Sequence, residues 1–208
     1  MIFLKIKCYK IEVGKLKIGI LAIQGDFYLH QESLNMLNVE SVFVKKSKDL
    51  AECDGLIIPG GESSTMSLLI NKYSLYDDIL KFSYRHSLFG TCAGSIIMSD
   101  SSNDLRIKNM SCVNLKTVRN AWGRQIDSFS DDITFTESFN IKNKSKYHAT
   151  FIRAPKFSKI AKDCKILATY NKEPVLIRNN KHLVSSFHPE INNSDLVIFK
   201  YFLDMINE

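Results

Sequence analysis

The sequence has no apolar run approaching the roughly 18 residues that a membrane-crossing helix needs, so it reads as soluble and without a membrane partner. It also lacks any Cys-x-x-Cys pair. Cys8, Cys53, Cys92, Cys112 and Cys164 stand far apart, which fits neither a thiolate metal site nor a secreted disulfide framework; a reduced cytoplasm is the expected compartment. Positive charge is plentiful, with a formal net charge of +6 and a pI near 9.0, but it is never gathered into a block. The densest clusters, Lys45-Lys46-Ser47-Lys48 and Lys142-Asn143-Lys144-Ser145-Lys146, fall where loops are expected, so nucleic-acid binding is set aside. No export signal is written either, because Lys5 and Lys7 interrupt the N-terminal apolar run. No repeat or low-complexity linker divides the chain. It is read as one domain over 16–208, preceded by an extension, 1–15, that is either an added segment or the product of a start assigned too far upstream.

What is there is concentrated in three places. In Leu88-Phe89-Gly90-Thr91-Cys92-Ala93-Gly94-Ser95 an apolar strand gives way to a helix, and one cysteine sits on the turn between two glycines. Gly90, Ala93 and Gly94 supply the room that such a sharp nucleophile elbow requires. A thiol at a helix N-terminus also feels the unpaired N–H groups that favour the thiolate. A lone cysteine beside a glycine turn can equally be a buried core residue. The flanking pattern points to the elbow.

Near the other end, in Ser186-Phe187-His188-Pro189-Glu190, a histidine and a carboxylate are two positions apart. Extended backbone through the proline puts both side chains on one side, so that Glu190 can orient His188. Cys92, His188 and Glu190 are therefore the candidate nucleophile, base and orienting carboxylate of an acyl-transfer triad. The third place is Gly55-Leu56-Ile57-Ile58-Pro59-Gly60-Gly61-Glu62-Ser63, a short strand running into a helix. The N–H groups of Gly61 and of Ala93 are candidates for an oxyanion hole. The same stretch also reads as an ordinary strand-to-helix turn capped by a serine.

Apolar periodicity predicts strands over 16–23, 42–44, 55–58 and 88–90, with helices over 27–37, 65–71, 75–84 and 196–206. Further strands are predicted over 133–139, 149–153, 164–170, 175–178 and 183–187. Such alternation implies a parallel sheet with helices on both faces.

With these residues in view, the chain resembles the glutaminase subunits of two-subunit pyridoxal 5′-phosphate synthases, within the class I, triad-type glutamine amidotransferases. The broad class is carried by the Gly-x-Cys-x-Gly and His-Pro-Glu pieces. The narrower family is carried by Leu21-Ala22-Ile23-Gln24-Gly25-Asp26-Phe27, by Arg119-Asn120-Ala121-Trp122-Gly123-Arg124-Gln125-Ile126-Asp127-Ser128-Phe129, and by Ile152-Arg153-Ala154-Pro155. Departures from the family pattern are Ser95, Trp122 and the stretch 99–116, whose conformation is left open.

The resemblance implies a single-domain, flavodoxin-like, three-layer α/β fold with a mixed, mainly parallel central sheet. It implies hydrolysis of L-glutamine to L-glutamate and ammonia through a glutamyl thioester on Cys92. Gly61, Glu62, Ser63, Arg119, Ile152 and Arg153 would bind the substrate. No cofactor or metal is called for. Ammonia would pass to a (β/α)₈-barrel synthase subunit, with Gln24 at the coupling edge and the Gly60-Gly61 peptide reoriented by the partner. Two rivals stand beside this reading: a glutaminase serving another synthase, such as the imidazole glycerol phosphate system, and a binding subunit that has lost activity.

Overall fold

Leu56, Ile57 and Ile58 are consecutive, apolar and fully shielded from solvent, the mark of a strand covered on both faces. They belong to β3 (Gly55–Ile58), one of five mutually parallel strands with β1 (Lys17–Leu21), β2 (Glu40–Val44), β4 (Ser87–Thr91) and β12 (Leu183–Ser185). The computed structural model describes residues 16–122, 128–139, 141 and 144–208. The extension 1–15, Gly123 to Asp127 of the Arg-Asn segment, and Lys142-Asn143 lie outside the described residues.

The nine-stranded sheet runs β2-β1-β3-β4-β12-β11-β10-β7-β8. Beyond β12 the pairings become antiparallel, through β11 (Glu173–Arg178), β10 (Lys165–Tyr170), β7 (Phe129–Phe135) and β8 (Lys146–Phe151). Side chains alternate between two cores. Ile18, Ile20, Ile57 and Phe89 face α1 (Phe27–Met36) and α5 (Val197–Ile206), whose Leu34, Phe199 and Phe202 meet them. Leu56, Ile58 and Leu88 face α2 (Ser63–Lys72), α3 (Tyr76–Ser83) and α4 (Ala93–Met98) through Met66, Ile70, Ile79 and Ile97. The result is a three-layer α/β arrangement with a large mixed sheet.

Two segments differ from the periodicity reading, and a third is one that it leaves open. The strand expected over 133–139 lies earlier, at Phe129–Phe135; the chain then turns through a 3₁₀ segment, Glu137–Phe139, that stacks Phe139 on Phe135. Thr136 is still held to the neighbouring strand, its N–H and hydroxyl donating to the carbonyls of Leu167 and Ile166, and the chain turns only after it. The strand expected over 149–153 ends at Phe151, since Arg153 takes a left-handed backbone with φ +47°. The open stretch 99–116 contains β5 (Ser99–Ser102) and the start of β6 (Val113–Val118), which form a small second sheet with β9 (Lys156–Ser158).

Candidate active site

The parallel strands end along one edge, and the chain leaves four of the five through a site motif singled out above. Gln24 follows β1, Gly60-Gly61 follows β3, Cys92 follows β4 and His188 follows β12. Sequence distance disappears at this edge: the Cys92 N–H donates to the Ser185 carbonyl at 2.9 Å, tying the elbow to the strand that delivers the histidine.

Cys92 has φ +45° and ψ −101°, a conformation that a non-glycine residue holds only where its surroundings impose it. Those surroundings are tight. A Cβ on Gly94 would stand 2.0 Å from the Ile58 carbonyl oxygen, and one on Gly90 would stand 2.6 Å from Met98 Sδ. Both positions next to the elbow therefore require glycine for closeness of approach. The thiol is nearly buried and its Sγ lies 3.6 Å from the Ile152 carbonyl oxygen. The Ile-Arg-Ala-Pro segment thus reaches the nucleophile from the antiparallel half of the sheet.

His188 Nδ1 lies 2.7 Å from Glu190 Oε1, with both side chains shielded from water; the backbone is not extended through the proline as expected, since Pro189–Ile191 form a 3₁₀ turn that places Glu190 against the ring. The segment is anchored from behind: the His188 N–H donates to the Thr150 carbonyl at 2.9 Å, and the Tyr147 hydroxyl donates to the Pro189 carbonyl at 3.2 Å. Burial opposes a charged imidazole, but the Glu190 carboxylate and the nearby Cys92 sulfur outweigh it and hold the His188 pKa well above the usual histidine value. For Glu190 burial would raise the pKa, yet the histidines on either side, His30 and His188, bring it below the ordinary value. The pair is therefore an imidazolium facing a carboxylate. Burial pushes the thiols of Cys53, Cys112 and Cys164 up to about 11, away from nucleophilic use at neutral pH.

Gly60 packs directly against the imidazole, since a Cβ there would come within 2.4 Å of His188 Cε1. Gly61 has φ +152° and is followed by Glu62, whose N–H donates to Gln24 Oε1 at 3.2 Å. The Gly60 carbonyl accepts from the Asp26 N–H at 3.3 Å, so the Gln-Gly-Asp segment grips the glycine loop. In a trans peptide this carbonyl direction sends the Gly61 N–H the opposite way.

Glu62 caps α2, accepting from the N–H groups of Ser64 and Thr65. Burial works against its charge, but these bonds and those from the Ser64 and Thr65 side chains bring its pKa down to about 2. Arg119 Nη2 donates to Glu62 Oε1 at 2.7 Å, while its other nitrogen pairs with Asp104. Asp104 also holds Arg106, bonded through Nε at 2.9 Å and Nη2 at 2.6 Å. Ser63 is buried at the start of α2, whereas Arg153 is exposed. All the predicted site residues thus border one edge of the fold, in two groups: Cys92, His188 and Glu190 inside, and Glu62, Arg119 and Arg153 at the rim.

Asp26, His188 and Glu190 bring potential ligand atoms within 4.8 Å of one another. Glu190 Oε1 is already engaged by His188, so this cluster is the polar centre of the triad geometry and not a metal cage. Sequence reasoning missed three members of the site. His30 and Thr91 touch each other behind Glu190, and Asp104 holds Arg119. A histidine on the apolar side of α1, four residues beyond Asp26, was the available signal for the first.

Comparison with known proteins points to one family. The model of the SNO glutamine amidotransferase family matches residues 20–208. The pyridoxal 5′-phosphate synthase subunit PdxT of Francisella philomiragia is 44% identical over 188 residues, which cover 90% of this chain and 98% of that protein. PdxT of Francisella tularensis subsp. tularensis is likewise 44% identical, over 91% of this chain and 98% of its own. A crystal structure of a glutamine amidotransferase superposes with a TM-score of 0.83 at 36% identity, over 92% of this chain and 99% of that one. The structure of PurLQS from Thermotoga maritima, at 14% identity and a TM-score of 0.66 over 91% of this chain and 98% of that one, shares the fold.

Proposed function

The chain belongs to the SNO glutamine amidotransferase family, and from that premise we propose that it is the glutaminase subunit of a pyridoxal 5′-phosphate synthase, hydrolysing L-glutamine and passing the ammonia to a synthase subunit. The observation that carries the chemistry is a cysteine forced to φ +45° beside a buried histidine whose Nδ1 is held by a carboxylate at 2.7 Å.

In this reading the Cys92 thiolate attacks the side-chain amide carbon of glutamine. The negative charge that develops on the oxygen is met by the N–H groups of Gly61 and Ala93. The protonated His188 gives its Nε2 proton to the departing nitrogen, ammonia leaves, and a glutamyl thioester remains on Cys92. The imidazole, now neutral, takes a proton from water, whose oxygen adds to the thioester carbon; collapse releases glutamate and restores the thiolate facing an imidazolium. Glu190 holds the ring in the tautomer that keeps Nε2 toward the reacting atoms.

Glu62 and Arg119 are opposite charges 2.7 Å apart, and an α-amino acid presents the complementary pair, ammonium to Glu62 and carboxylate to Arg119. Ser63, Ile152 and Arg153 complete the pocket for these groups. Catalysis through this site calls for no cofactor. The synthase partner is a (β/α)₈ barrel that docks near Gln24, and the complex works in the cytoplasm. Because the Gly60 carbonyl is held by Asp26, the Gly61 N–H turns into the oxyanion hole when the partner shifts the Gln24-Gly25-Asp26 segment. The domain occupies 16–208.

The test is glutamine hydrolysis by the full chain, alone and with its cognate synthase subunit, scored as ammonia and pyridoxal 5′-phosphate. Weak hydrolysis alone and roughly 10²–10³-fold activation by the partner are expected, the size of one oxyanion donor gained. Cys92→Ala should abolish hydrolysis, while ammonium salts still support product formation by the complex. Full activity without a partner, or no rescue by ammonium, would count against the proposal.

A further inference from the structure

Behind the triad geometry, Glu190 is sandwiched between two histidines. Its Oε1 takes His188 Nδ1, while Oε2 has no hydrogen-bond partner among the described residues and is completely buried. An oxygen of an ionised carboxylate left so would be costly. The group that faces it is His30 of α1, also fully buried, with Nε2 at 3.6 Å from Oε2 and 3.2 Å from the hydroxyl of Thr91. At 3.6 Å the contact with Glu190 is dipolar and falls outside hydrogen-bond range.

The surroundings fix the tautomer. If Nδ1 carried the proton, a buried N–H would lack a partner, because Nδ1 has none, and the Nε2 lone pair would face a carboxylate. With the proton on Nε2, the N–H donates to Thr91 Oγ1 and its positive end lies toward Oε2; the unpartnered atom is then only a lone pair. Burial lowers the pKa of His30, so the ring stays neutral and contributes a dipole without competing with His188 for the charge of Glu190. The other charged groups facing it are Glu190, His188 and Asp26. Phe199 of α5 packs edge-on against the ring at 5.7 Å and limits its rotation.

We propose that His30 is a positioning residue for glutamine hydrolysis: its Nε2–H, aligned by Thr91, supports the outer oxygen of Glu190 and fixes the carboxylate so that Oε1 stays on His188. The support matters most in the thioester half of the cycle. Once His188 has given its proton to ammonia, Glu190 is a buried anion beside a neutral ring, and the dipole of His30 is what keeps it ionised while water is deprotonated. His30 reaches no substrate atom, so its loss should act on turnover and not on binding.

This inference rests on the proposed glutaminase reaction, and the experiment separates the two. Steady-state glutamine hydrolysis is measured for the full chain with its synthase subunit, for wild type, Cys92→Ala, His30→Leu, His30→Gln and His30→Asn. His30→Leu should lower kcat by about 10- to 100-fold, the cost of leaving a buried charged oxygen without the dipole that faces it, with KM within twofold of wild type. The amide nitrogen of Gln can occupy the Nε2 position and should restore most of kcat, whereas that of Asn reaches only the Nδ1 position and should not. If His30→Leu does not fold, the contrast between Gln and Asn decides. An unchanged kcat in His30→Leu, a change confined to KM, or equal kcat for Gln and Asn overturns the role of His30. Hydrolysis surviving in Cys92→Ala overturns the underlying reaction instead.

Discussion

The two halves of the site obey different electrostatics. Inside, Cys92, His188, Glu190 and His30 are each at most 5% exposed, so each charge is set by its immediate neighbours and little screened by salt. At the rim, Glu62 and Arg119 are 43% and 18% exposed at the side chain, and their pairing competes with water and ions. The inner group is suited to chemistry, where proton positions must be held before substrate arrives. The rim group is suited to capture, because its charges can exchange one partner for another at small cost. In the proposed reaction, one strand-end edge would therefore carry a preorganised centre and an exchangeable clamp.

The contrast breaks hardest at Gly60. A Cβ there would meet His188 Cε1 at 2.4 Å, so Gly60→Ala should push the ring out of line and lower kcat/KM for glutamine by about 100-fold. The midpoint of thermal unfolding, measured alongside, should change much less, since the methyl displaces a side chain and leaves the sheet intact. Equal losses of activity and stability would mean that the imidazole is not held against this loop.

Glu190→Gln removes the inner charge and tests its coupling to pH. The raised pKa of His188 contributes stability that is complete below about 6.5 and is lost as pH rises through the folded value. The lowered pKa of Glu190 contributes stability that is complete above about 4.5 and is lost as pH falls through its folded value. The two overlap between these limits. There the difference between wild type and variant should peak at roughly 3 kcal/mol, or about 6–12 °C in Tm, and shrink on either side. His30 and His182, whose pKa values burial lowers, respond oppositely to acid but are present in both proteins. A difference that is flat across pH would show that the pair is not ionised in the fold.

At the rim, Arg119→Ala should raise KM for glutamine at least tenfold, with a smaller change in kcat and less than about 1 kcal/mol of lost stability. A pure kcat effect would move Arg119 into the inner group. The smallest effect is expected from deleting residues 1–14, outside the proposed domain: glutamine hydrolysis with the synthase subunit should stay within twofold of the full chain.

Residue order alone announced the elbow, the His-Pro-Glu pair and the glycine loop, because each depends on local backbone. Gly90 and Gly94 mark a turn too tight for side chains, and His188 and Glu190 stand close enough in sequence to meet, although a 3₁₀ turn over Pro189–Ile191 brings them together and not the extended backbone expected of the proline. The parallel strands were legible in the same way, since their unbroken apolar runs reflect burial on both faces. Strand ends were less legible where packing distant in sequence goes with them, as when the chain turns beyond Phe135 and Phe139 stacks on Tyr201 of α5.

Only the tertiary structure decided that the Ile152 carbonyl lies against Cys92, that Arg119 is shared between Glu62 and Asp104, and that His30 stands behind Glu190. Apart from the Arg119–Asp104 pair, these contacts join residues at least 57 positions apart, brought together when the strands align their ends. A single sequence encodes the turns that shape the motifs, but the distances between motifs come from packing the sheet, a property of the whole chain.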